Sequence, residues 1–370
     1  MFPGDKDFQL AQVFLEHALK LKPKEKLLIT TSDSGAFGLV KAVYIMALKM
    51  GVYPLIDTQI DWHINRSFMN GFAYQFYKLA NKWQLDYVPK EVLEAKIEWA
   101  DAFVRIVTLD NSAELAQIPT EKITKRQKLM RPLFDRMIDK GRWVLTYYPT
   151  PSMAQNAGVA FDWLVDFYYK ACLVDYEKMK KQLKGLEAVL DKGNQVEIVG
   201  KETNLSFLIK GRLAQAAYGE YNIPDGEVFL APLEKTVEGK IYFDMPTLYA
   251  GAEMEGIYLE FKKGKVIKAK AKRGEEALHK ILDTDAGARY IGEFAIGANY
   301  NITKPMKNTL FDEKIGGTIH MALGRAYNEK RGGGTNQSAI HWDIVKDMRL
   351  PGHEVRVDDK IVLKEGKIVI

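Results

Sequence analysis

Residues 316–343, GGTIHMALGRAYNEKRGGGTNQSAIHWD, are the stretch around which the rest of the chain is organised. They hold two of the six histidines, His320 and His341, and Asp343 follows the second histidine by two positions. In a β-strand, residues i and i+2 point to the same face and lie about 7 Å apart. His341 and Asp343 are therefore placed to bind one metal ion, with Trp342 on the opposite face. The plainer alternative is a His–Asp pair on the surface of a strand.

Length and composition predict a soluble protein of two domains. A chain of 370 residues exceeds the usual size of one hydrophobic core. Its composition, 47% hydrophobic and 27% charged, is typical of soluble globular proteins, and no apolar run predicts a membrane span. The single cysteine, Cys172, excludes an internal disulfide and, with no signal-peptide pattern, predicts a cytoplasmic protein. The net charge of +5 is too small to indicate nucleic acid binding.

Strands and helices alternate along the first 192 residues. The predicted strands are 26–30, 52–57, 102–109 and 142–148. The predicted helices are 5–22, a segment ending near Gly51, 67–82, 91–99, 121–140 and a long stretch to about 192. This alternation predicts an α/β domain in which helices cover a parallel sheet.

The composition changes near Lys192, and short strand patterns predominate after it. These patterns lie at 196–199, 205–208, 228–231, 240–243, 256–261, 266–270, 360–363 and 367–370. One helical pattern, 274–282, interrupts them. We therefore expect an α/β domain at 1–192 that shapes a substrate cavity, followed by a β-rich α+β domain at 193–370 that carries the metal site.

Short segments of the second half place polar side chains in apolar surroundings. Glu227 directly precedes an apolar strand pattern, Glu293 lies inside the apolar run YIGEFAI, and His320 follows GGTI. A charged residue in such a run is costly unless it is paired or bound to a metal. The structural alternatives are a turn residue for Glu227, a buried ion pair for Glu293 and a core histidine for His320. Their occurrence with His341 and Asp343 in one window of 117 residues favours a shared site.

The ligand types in this window indicate the chemistry. Two histidines and three carboxylates, with no cysteine, form a mixed nitrogen and oxygen set for zinc, cobalt or manganese. Five ligands exceed what one catalytic zinc ion takes, but they suffice for two ions that share a carboxylate and a water. Such a pair lowers the pKa of the water, polarises a carbonyl group and holds a free amine. The residues therefore predict a two-metal hydrolytic site.

These residues resemble the metal-dependent aminopeptidase T and aminopeptidase S family. The resemblance rests on GEVF (226–229), GE (292–293), HMALGRAY (320–327) and NQSAIHWD (336–343). It extends over most of the chain, including PTPSMAQ (149–155) and LFDE (310–313). The interval between His320 and His341 is shorter here than in the family pattern. The resemblance implies a dinuclear site whose candidate ligands are Glu227, Glu293, His320, Tyr327, His341 and Asp343.

Two residues are candidates for a role in catalysis, Tyr327 and Glu255. A straight helix over 320–327 would separate His320 and Tyr327 by about 10.5 Å, so binding at one metal requires a break, for which Gly324 is the candidate. Tyr327 would be a ligand or a hydrogen-bond donor to the oxyanion, and a packed tyrosine is the alternative. Glu255 would be the general base or the amine anchor, and a solvated charge at a sheet edge is the alternative.

The resemblance implies a cytoplasmic metallo-aminopeptidase, a hydrolase of the exopeptidase class that acts as a homodimer. It would use two divalent ions, zinc or cobalt or alternatively manganese or magnesium. These ions would activate the water that releases N-terminal amino acids from short peptides. Peptides with a free N-terminus, rather than nucleic acid or a membrane, are the expected partners.

Two other functions stay open at this point. One is a mononuclear Fe(II) oxygenase in which His341 and Asp343 form a facial triad with another histidine, such as His353. The other is a nucleic-acid-binding or scaffold protein that uses the basic helix at 121–140. That helix lacks interleaved aromatic residues for base stacking.

Overall fold

The computed structural model describes residues 2–32, 34–58, 72–111, 113–249, 251–328 and 330–370. The chain divides into two compact units. The first consists of Met1–Leu173 and Gly219–Pro224, and the second consists of Val174–Tyr218 and Asp225–Ile370. This division differs from the predicted boundary near residue 192 in two places. Helix Tyr176–Lys192 belongs to the second unit, and Gly219–Pro224 belongs to the first.

The first unit is built on a parallel sheet with flanking helices, which confirms the predicted α/β architecture. The strands are β1 Lys26–Thr31, β2 Tyr53–Thr58, β3 Ala102–Thr108 and β4 Trp143–Tyr148, in the order β2-β1-β3-β4. The helices are α1 Asp5–Gln12 with a π-helical extension Val13–Ala18, α2 Phe37–Lys49, α3 Phe72–Leu79, α4 Lys82–Asp86, α5 Lys90–Trp99, α6 Thr120–Asp139, α7 Pro151–Ala157 and α8 Phe161–Cys172. Strand β3 is almost entirely buried, as expected for a central strand covered on both faces.

The segment Gly219–Pro224 belongs to the first unit because it pairs with β4. The Leu145 amide donates to Tyr221 O at 2.8 Å, and the Ile223 amide donates to Leu145 O at 2.9 Å. The Tyr221 ring also packs on Trp143, with ring centroids 4.9 Å apart. These contacts join residues distant in sequence, so local periodicity could not predict them.

The long helix predicted up to residue 192 is in fact three helices. The Thr150 hydroxyl caps α7 by accepting the Met153 amide at 3.2 Å, and Gly158, with φ of +64°, ends that helix. Asp175 caps the third helix by accepting the Lys178 amide at 2.9 Å. The predicted helix at 67–82 begins at residues that lie outside those described. Helix α3 forms most of its remainder, and α4 starts at its last predicted residue, Lys82. In the part of the chain that the structure describes, no helix has the length and apolar character needed to cross a membrane.

The second unit consists mainly of antiparallel strands. Its helices are α9 Tyr176–Lys192, α10 Glu275–Leu282 and α11 Thr309–Asp312. Its strands are β5 Gln195–Gly200, β6 Thr203–Leu208, β7 Gln215–Ala217, β8 Glu227–Leu230, β9 Glu238–Phe243, β10 Thr247–Tyr249, β11 Ala252–Met254, β12 Ile257–Lys262, β13 Lys265–Lys270, β14 Ile291–Gly297, β15 Thr318–Gly324, β16 His341–Asp347, β17 Glu354–Val357, β18 Lys360–Lys364 and β19 Lys367–Ile368. One sheet has the order β13-β12-β9-β6-β5-β17-β18-β19, a second has the order β16-β15-β14-β8-β7, and β10 pairs with β11. The predicted β-rich second half is therefore confirmed.

An apolar core fills the space between the two large sheets. Phe207 of β6 and Phe294 of β14 meet edge to face, with ring centroids 5.2 Å apart. Trp342 of β16 is buried and stacks on Tyr249 at 5.3 Å. Successive side chains of a strand point to opposite faces, so the residues between these core positions lie on the other face of β14, β15 and β16.

We expect Phe294→Ala to lower the free energy of unfolding of the second unit by about 3–5 kcal/mol, because it leaves a cavity between the sheets. Urea denaturation followed by tryptophan fluorescence measures this change. The control is Ile267→Ala in β13, where the side chain is 54% exposed and the expected change is below about 0.5 kcal/mol. Equal losses in the two variants would contradict a core shared by both sheets.

Candidate metal centre

The polar face of the five-stranded sheet brings the candidate ligands into one region. In the strand register, Ala322 of β15 lies between Glu293 of β14 and Asp343 of β16. His320 lies two positions before Ala322 and therefore points to the same face. Glu227 begins β8, which pairs with the other edge of β14. Because Ala322 has only a methyl side chain, the flanking carboxylates face a common space.

The candidate side chains converge on a buried cluster. His320 Nε2 lies 3.3 Å from Glu293 Oε1, 3.4 Å from Glu227 Oε2 and 4.0 Å from Asp343 Oδ1. His341 Nε2 lies 3.5 Å from Asp343 Oδ1 and 3.7 Å from Glu293 Oε2. Four of these residues are at most 8% exposed, and the His341 side chain is 26% exposed. The structure thus brings together the five carboxylates and imidazoles singled out in the sequence.

Three carboxylate oxygens in this cluster lack a hydrogen-bond donor among the described residues. They are Glu227 Oε2, Glu293 Oε2 and Asp343 Oδ1. Buried polar atoms nearly always have a partner, and an uncompensated buried charge costs several kcal/mol. A bound cation would provide the missing partner for all three oxygens. The nitrogen and oxygen donor set therefore fits divalent ions of the zinc or cobalt type.

The ligand atoms fall into overlapping groups in which all atoms lie within 4.8 Å of one another. One group is Glu227, Glu293 and His320, and a second is Glu293, His341 and Asp343. A third combines His320 and Asp343 with Glu313. The first two groups share Glu293, so the cluster has the donor atoms for more than one ion.

Backbone carbonyls orient both imidazole rings. The Nδ1–H group of His341 donates to Arg325 O at 2.7 Å, and that of His320 donates to Glu313 O at 3.1 Å. A carbonyl oxygen only accepts, so each ring carries its proton on Nδ1 and directs Nε2 at the carboxylates. Metal-binding histidines are commonly oriented by such a contact.

The carboxylates control the ionisation of the cluster. Burial alone would lower the pKa of both imidazoles. The hydrogen bond to Glu293 and the nearby negative charges instead raise the pKa of His320 to about 9. The charge of Asp343 raises the pKa of His341 to about 10. Burial raises the pKa of Glu227 to about 8, against the effect of nearby positive charges. In the metal-free protein both imidazoles are therefore charged at neutral pH.

Tyr327 lies beside the cluster on a segment that is not helical. Residues 318–324 are strand rather than helix, and Gly324 ends the strand with φ of +99°. The Tyr327 ring centroid lies 5.2 Å from that of His341 and 5.8 Å from that of Phe229. The strand ends at Gly324, and the helix considered over 320–327 is not present. The role of Tyr327 as a ligand or hydrogen-bond donor stays a prediction.

Glu255 lies outside the metal-binding groups found among the described residues. Its side chain is 46% exposed and pairs with Arg273 at 3.8 Å. The contacts of Glu255 thus agree with the alternative of a solvated charge at a sheet edge, and its catalytic role stays a prediction.

Sequence reasoning missed two charged residues that contact the cluster, Glu313 and Lys314. Lys314 is 1% exposed, and its Nζ lies 2.5 Å from Glu227 Oε1 and 2.7 Å from Glu313 Oε1. Burial alone would lower the pKa of this ammonium, but Glu227 and Glu313 hold it well above its ordinary value. The available signal was the charged run Asp312-Glu313-Lys314, which lies between the LF of the LFDE motif and Ile315.

The first residues of the NQSAIHWD motif do not line the cluster. They hold strand β16 in its position. Asp285 accepts the Ser338 hydroxyl at 2.8 Å and the Ala339 amide at 2.6 Å. The Asn336 side-chain amide donates to Gly324 O at 2.6 Å. These contacts fix the start of β16 against the end of β15, and so fix the separation of the two histidines.

The chain belongs to the thermophilic metalloprotease family (M29), whose pattern matches residues 6–368. Aminopeptidase T of Thermus thermophilus is 39% identical over 138 residues, which are 33% of this chain and 33% of the relative. Aminopeptidase T of Thermus aquaticus is 37% identical over 171 residues, 42% of this chain and 39% of the relative. These matches span only about a third to two fifths of the length of the two relatives. Aminopeptidase 2 of Geobacillus stearothermophilus is 28% identical over 291 residues, 68% of each chain.

A solved structure has the same fold. Wild-type AmpT from Thermus thermophilus matches 99% of both chains with a TM-score of 0.81 and 24% sequence identity. The likeness covers the parallel sheet with its helices as well as the strand-rich second half. It therefore confirms the fold class predicted from the sequence.

We expect Asp285→Ala to lower the free energy of unfolding at pH 7 by about 1–3 kcal/mol, because it leaves the Ser338 hydroxyl and the Ala339 amide without their acceptor. Burial would raise the pKa of Asp285, but the hydrogen bonds from Ala339 and Ser338 lower it below its ordinary value. A carboxyl with a lowered pKa stabilises the fold above about pH 4, and this stabilisation is lost as the pH falls through the folded pKa. The difference in the free energy of unfolding between wild type and variant should therefore be largest near pH 7 and should decrease below pH 4.

Urea denaturation at several pH values measures this difference. Asp283→Ala is the control, because the Asp283 side chain lies in the same loop, is 64% exposed and pairs with Arg289. It should leave the unfolding free energy nearly unchanged. A difference for Asp285→Ala that does not depend on pH would contradict the role of its carboxylate.

Proposed function

We propose that this member of the thermophilic metalloprotease family is an aminopeptidase that releases N-terminal residues from short peptides. Two divalent ions would be held by Glu227, Glu293, His320, His341 and Asp343. The observation that carries this proposal is the buried cluster of carboxylates and imidazoles, in which three oxygens have no donor within the described ranges of the chain. The aminopeptidases among the relatives support the choice of a peptide N-terminus as the substrate.

The contacts of Glu293 support two ions rather than one. Its Oε1 lies 3.3 Å from His320 Nε2, and its Oε2 lies 3.7 Å from His341 Nε2. Two ligand atoms that each lie 2.0–2.2 Å from a tetrahedral zinc ion are about 3.4 Å apart. Each oxygen of Glu293 thus has the spacing of a ligand pair with a different histidine. Glu293 would therefore take part in holding both ions.

When bound, the two ions would lower the pKa of a shared water and polarise the peptide carbonyl. The chain itself holds the ligands in place. Arg325 O and Glu313 O each accept the Nδ1–H group of one histidine, so the Nε2 atom of each neutral ring is left free to bind an ion. Tyr327, packed on the His341 ring, is the candidate donor to the oxyanion. Glu255 is the candidate anchor or base, provided that it exchanges its partner Arg273 for the substrate.

A small cleft lies beside the cluster and is lined by Thr247, Leu248, Lys307, Glu313 and Asp343, among others. Zinc or cobalt as the native metal, the homodimer and the cytoplasmic location stay predictions.

The structure does not favour the mononuclear Fe(II) oxygenase. His353 would be its additional histidine, but both ring nitrogens of His353 have backbone partners. Its Nε2 accepts the Lys201 amide at 2.9 Å, and its Nδ1–H group donates to Asp347 O at 3.0 Å.

The basic helix α6 gives no support to a nucleic-acid-binding function either. Arg131 pairs with Asp135 of the same helix at 2.6 Å, and Arg136 pairs with Glu94 of α5 at 3.1 Å. These two arginines thus have acidic partners within the first unit, as on an ordinary solvated helix face.

We expect His320→Ala and His341→Ala each to lower the hydrolysis rate by several orders of magnitude, because loss of a ligand removes both the activated water and the polarising ion. Hydrolysis of amino-acid p-nitroanilides with added zinc or cobalt measures the rate. The exposed residue His279, on α10 of the same unit, provides the control variant His279→Ala. Full activity after both chelation and His341→Ala would refute the proposal.

We also expect ion uptake at pH 7 to release about three protons per chain, because both imidazoliums and the Glu227 carboxyl, whose pKa burial raises to about 8, must lose a proton before they can bind an ion. The raised pKa values of His320 and His341 stabilise the metal-free fold below about pH 6.5, and this stabilisation is lost as the pH rises through 9 to 10. Ion affinity should therefore rise with pH up to about 10. Calorimetric titrations in two buffers with different ionisation enthalpies count the protons, and an equal heat in both would contradict this expectation.

A further inference from the structure

Lys314 is a lysine enclosed by carboxylates. Its Nζ contacts Glu227 Oε1 at 2.5 Å and Glu313 Oε1 at 2.7 Å, and lies 3.9 Å from Asp225 Oδ1. Its side chain is 2% exposed. An ammonium in this position meets no bulk water, so its interactions are with these neighbours.

The contact with Lys314 determines how Glu227 is oriented. A carboxylate is planar, so fixing one oxygen by a hydrogen bond also fixes the direction of the other. Lys314 holds Glu227 Oε1, and Glu227 Oε2 then faces His320 Nε2 at 3.4 Å. That Oε2 atom is one of the buried oxygens for which the described part of the chain supplies no donor.

The neighbouring residue orients the histidine of the same ligand group. Glu313 O accepts the Nδ1–H group of His320, so two adjacent residues orient two of the three ligands in the group Glu227, Glu293 and His320. The backbone of this pair is itself held, because the Lys314 amide donates to Phe311 O at 3.1 Å. The backbone from which the Lys314 side chain extends is thus fixed in position.

The other ligand group has a separate support. His341 is oriented by Arg325 O at 2.7 Å, and Arg325 directly follows β15. Asp343 lies within β16, whose pairing with β15 sets its position. The two groups share Glu293 and strand β15, but the contacts that orient their other ligands come from different residues, Glu313 and Lys314 for one group and Arg325 for the other.

We infer that Lys314 is a positioning residue for one ion only, the ion held by Glu227, Glu293 and His320. The ion held by Glu293, His341 and Asp343 does not depend on it. This inference rests on the proposed two-ion function.

The charge of Lys314 has the opposite effect to its hydrogen bond. An ammonium repels cations, so removing its charge alone would tighten ion binding. Loss of a residue that orients a metal ligand commonly weakens binding by about 10–100-fold. The direction of the change in affinity therefore separates a positioning role from a purely electrostatic one.

The test compares ion binding by the metal-free wild type with binding by Lys314→Met, which keeps the apolar length of the side chain without the ammonium. Cobalt titration followed by absorbance, with elemental analysis after equilibrium dialysis, gives the number of ions and the affinity of each. We expect one ion to bind Lys314→Met within about 3-fold of its wild-type affinity and the other to bind about 10–100-fold more weakly. Circular dichroism verifies the fold. If Lys314→Met does not fold, Lys314→Gln, which keeps a donor, should show a smaller weakening of the same ion.

Lys346→Met is the matched control. Lys346 is also fully buried in the second unit, but its Nζ donates to Tyr242 O at 2.9 Å. This variant should bind both ions as the wild type does. Unchanged affinity, tighter binding or equal weakening of both ions in folded Lys314→Met would overturn the inference. A wild-type chain that binds fewer than two ions would instead overturn the proposed function, and this result is obtained before any variant is measured.

Discussion

The second unit buries three carboxylates next to two imidazoles, and its structure depends on how the charges of these groups are compensated. Buried charges are stable only when an opposite charge or a set of donors compensates them. Part of that compensation comes from Lys314 and from the imidazoliums, and the remaining oxygens are directed at a common space. The antiparallel sheet makes this possible, because alternation gives β14, β15 and β16 one face for the core and one for the charges. The same strands therefore contribute apolar side chains to the core of the unit and charged side chains to the candidate metal centre.

Much of the candidate centre could be predicted because charged residues inside apolar runs are easily recognised. Glu293 and His320 are such residues, and the i, i+2 spacing of His341 and Asp343 correctly indicated a strand. Local pattern could not show that Lys314 reaches Glu227, since 87 residues separate the two in sequence. Nor could it place Gly219–Pro224 beside β4.

The errors in secondary structure have a similar cause. Helical periodicity continues through short breaks, so it does not distinguish the break at Gly158 or the cap at Asp175 from helix interior. The interval between His320 and Tyr327 fits helical spacing, so the sequence alone leaves a helix over this stretch open. Pairing with β14 and β16 makes it a strand instead, and pairing of this kind is a tertiary effect that a single segment does not encode.

The position of Glu293 on a central strand has a mechanical consequence. Strands β8 and β15 flank β14 on either side, and β16 lies beyond β15. Ions seated among the side chains of these four strands would act as cross-links perpendicular to the strand direction, in addition to the backbone ladder. Unfolding of the sheet would then require release of the ions, so the lifetime of the folded state at high temperature would depend on ion supply as well as on packing.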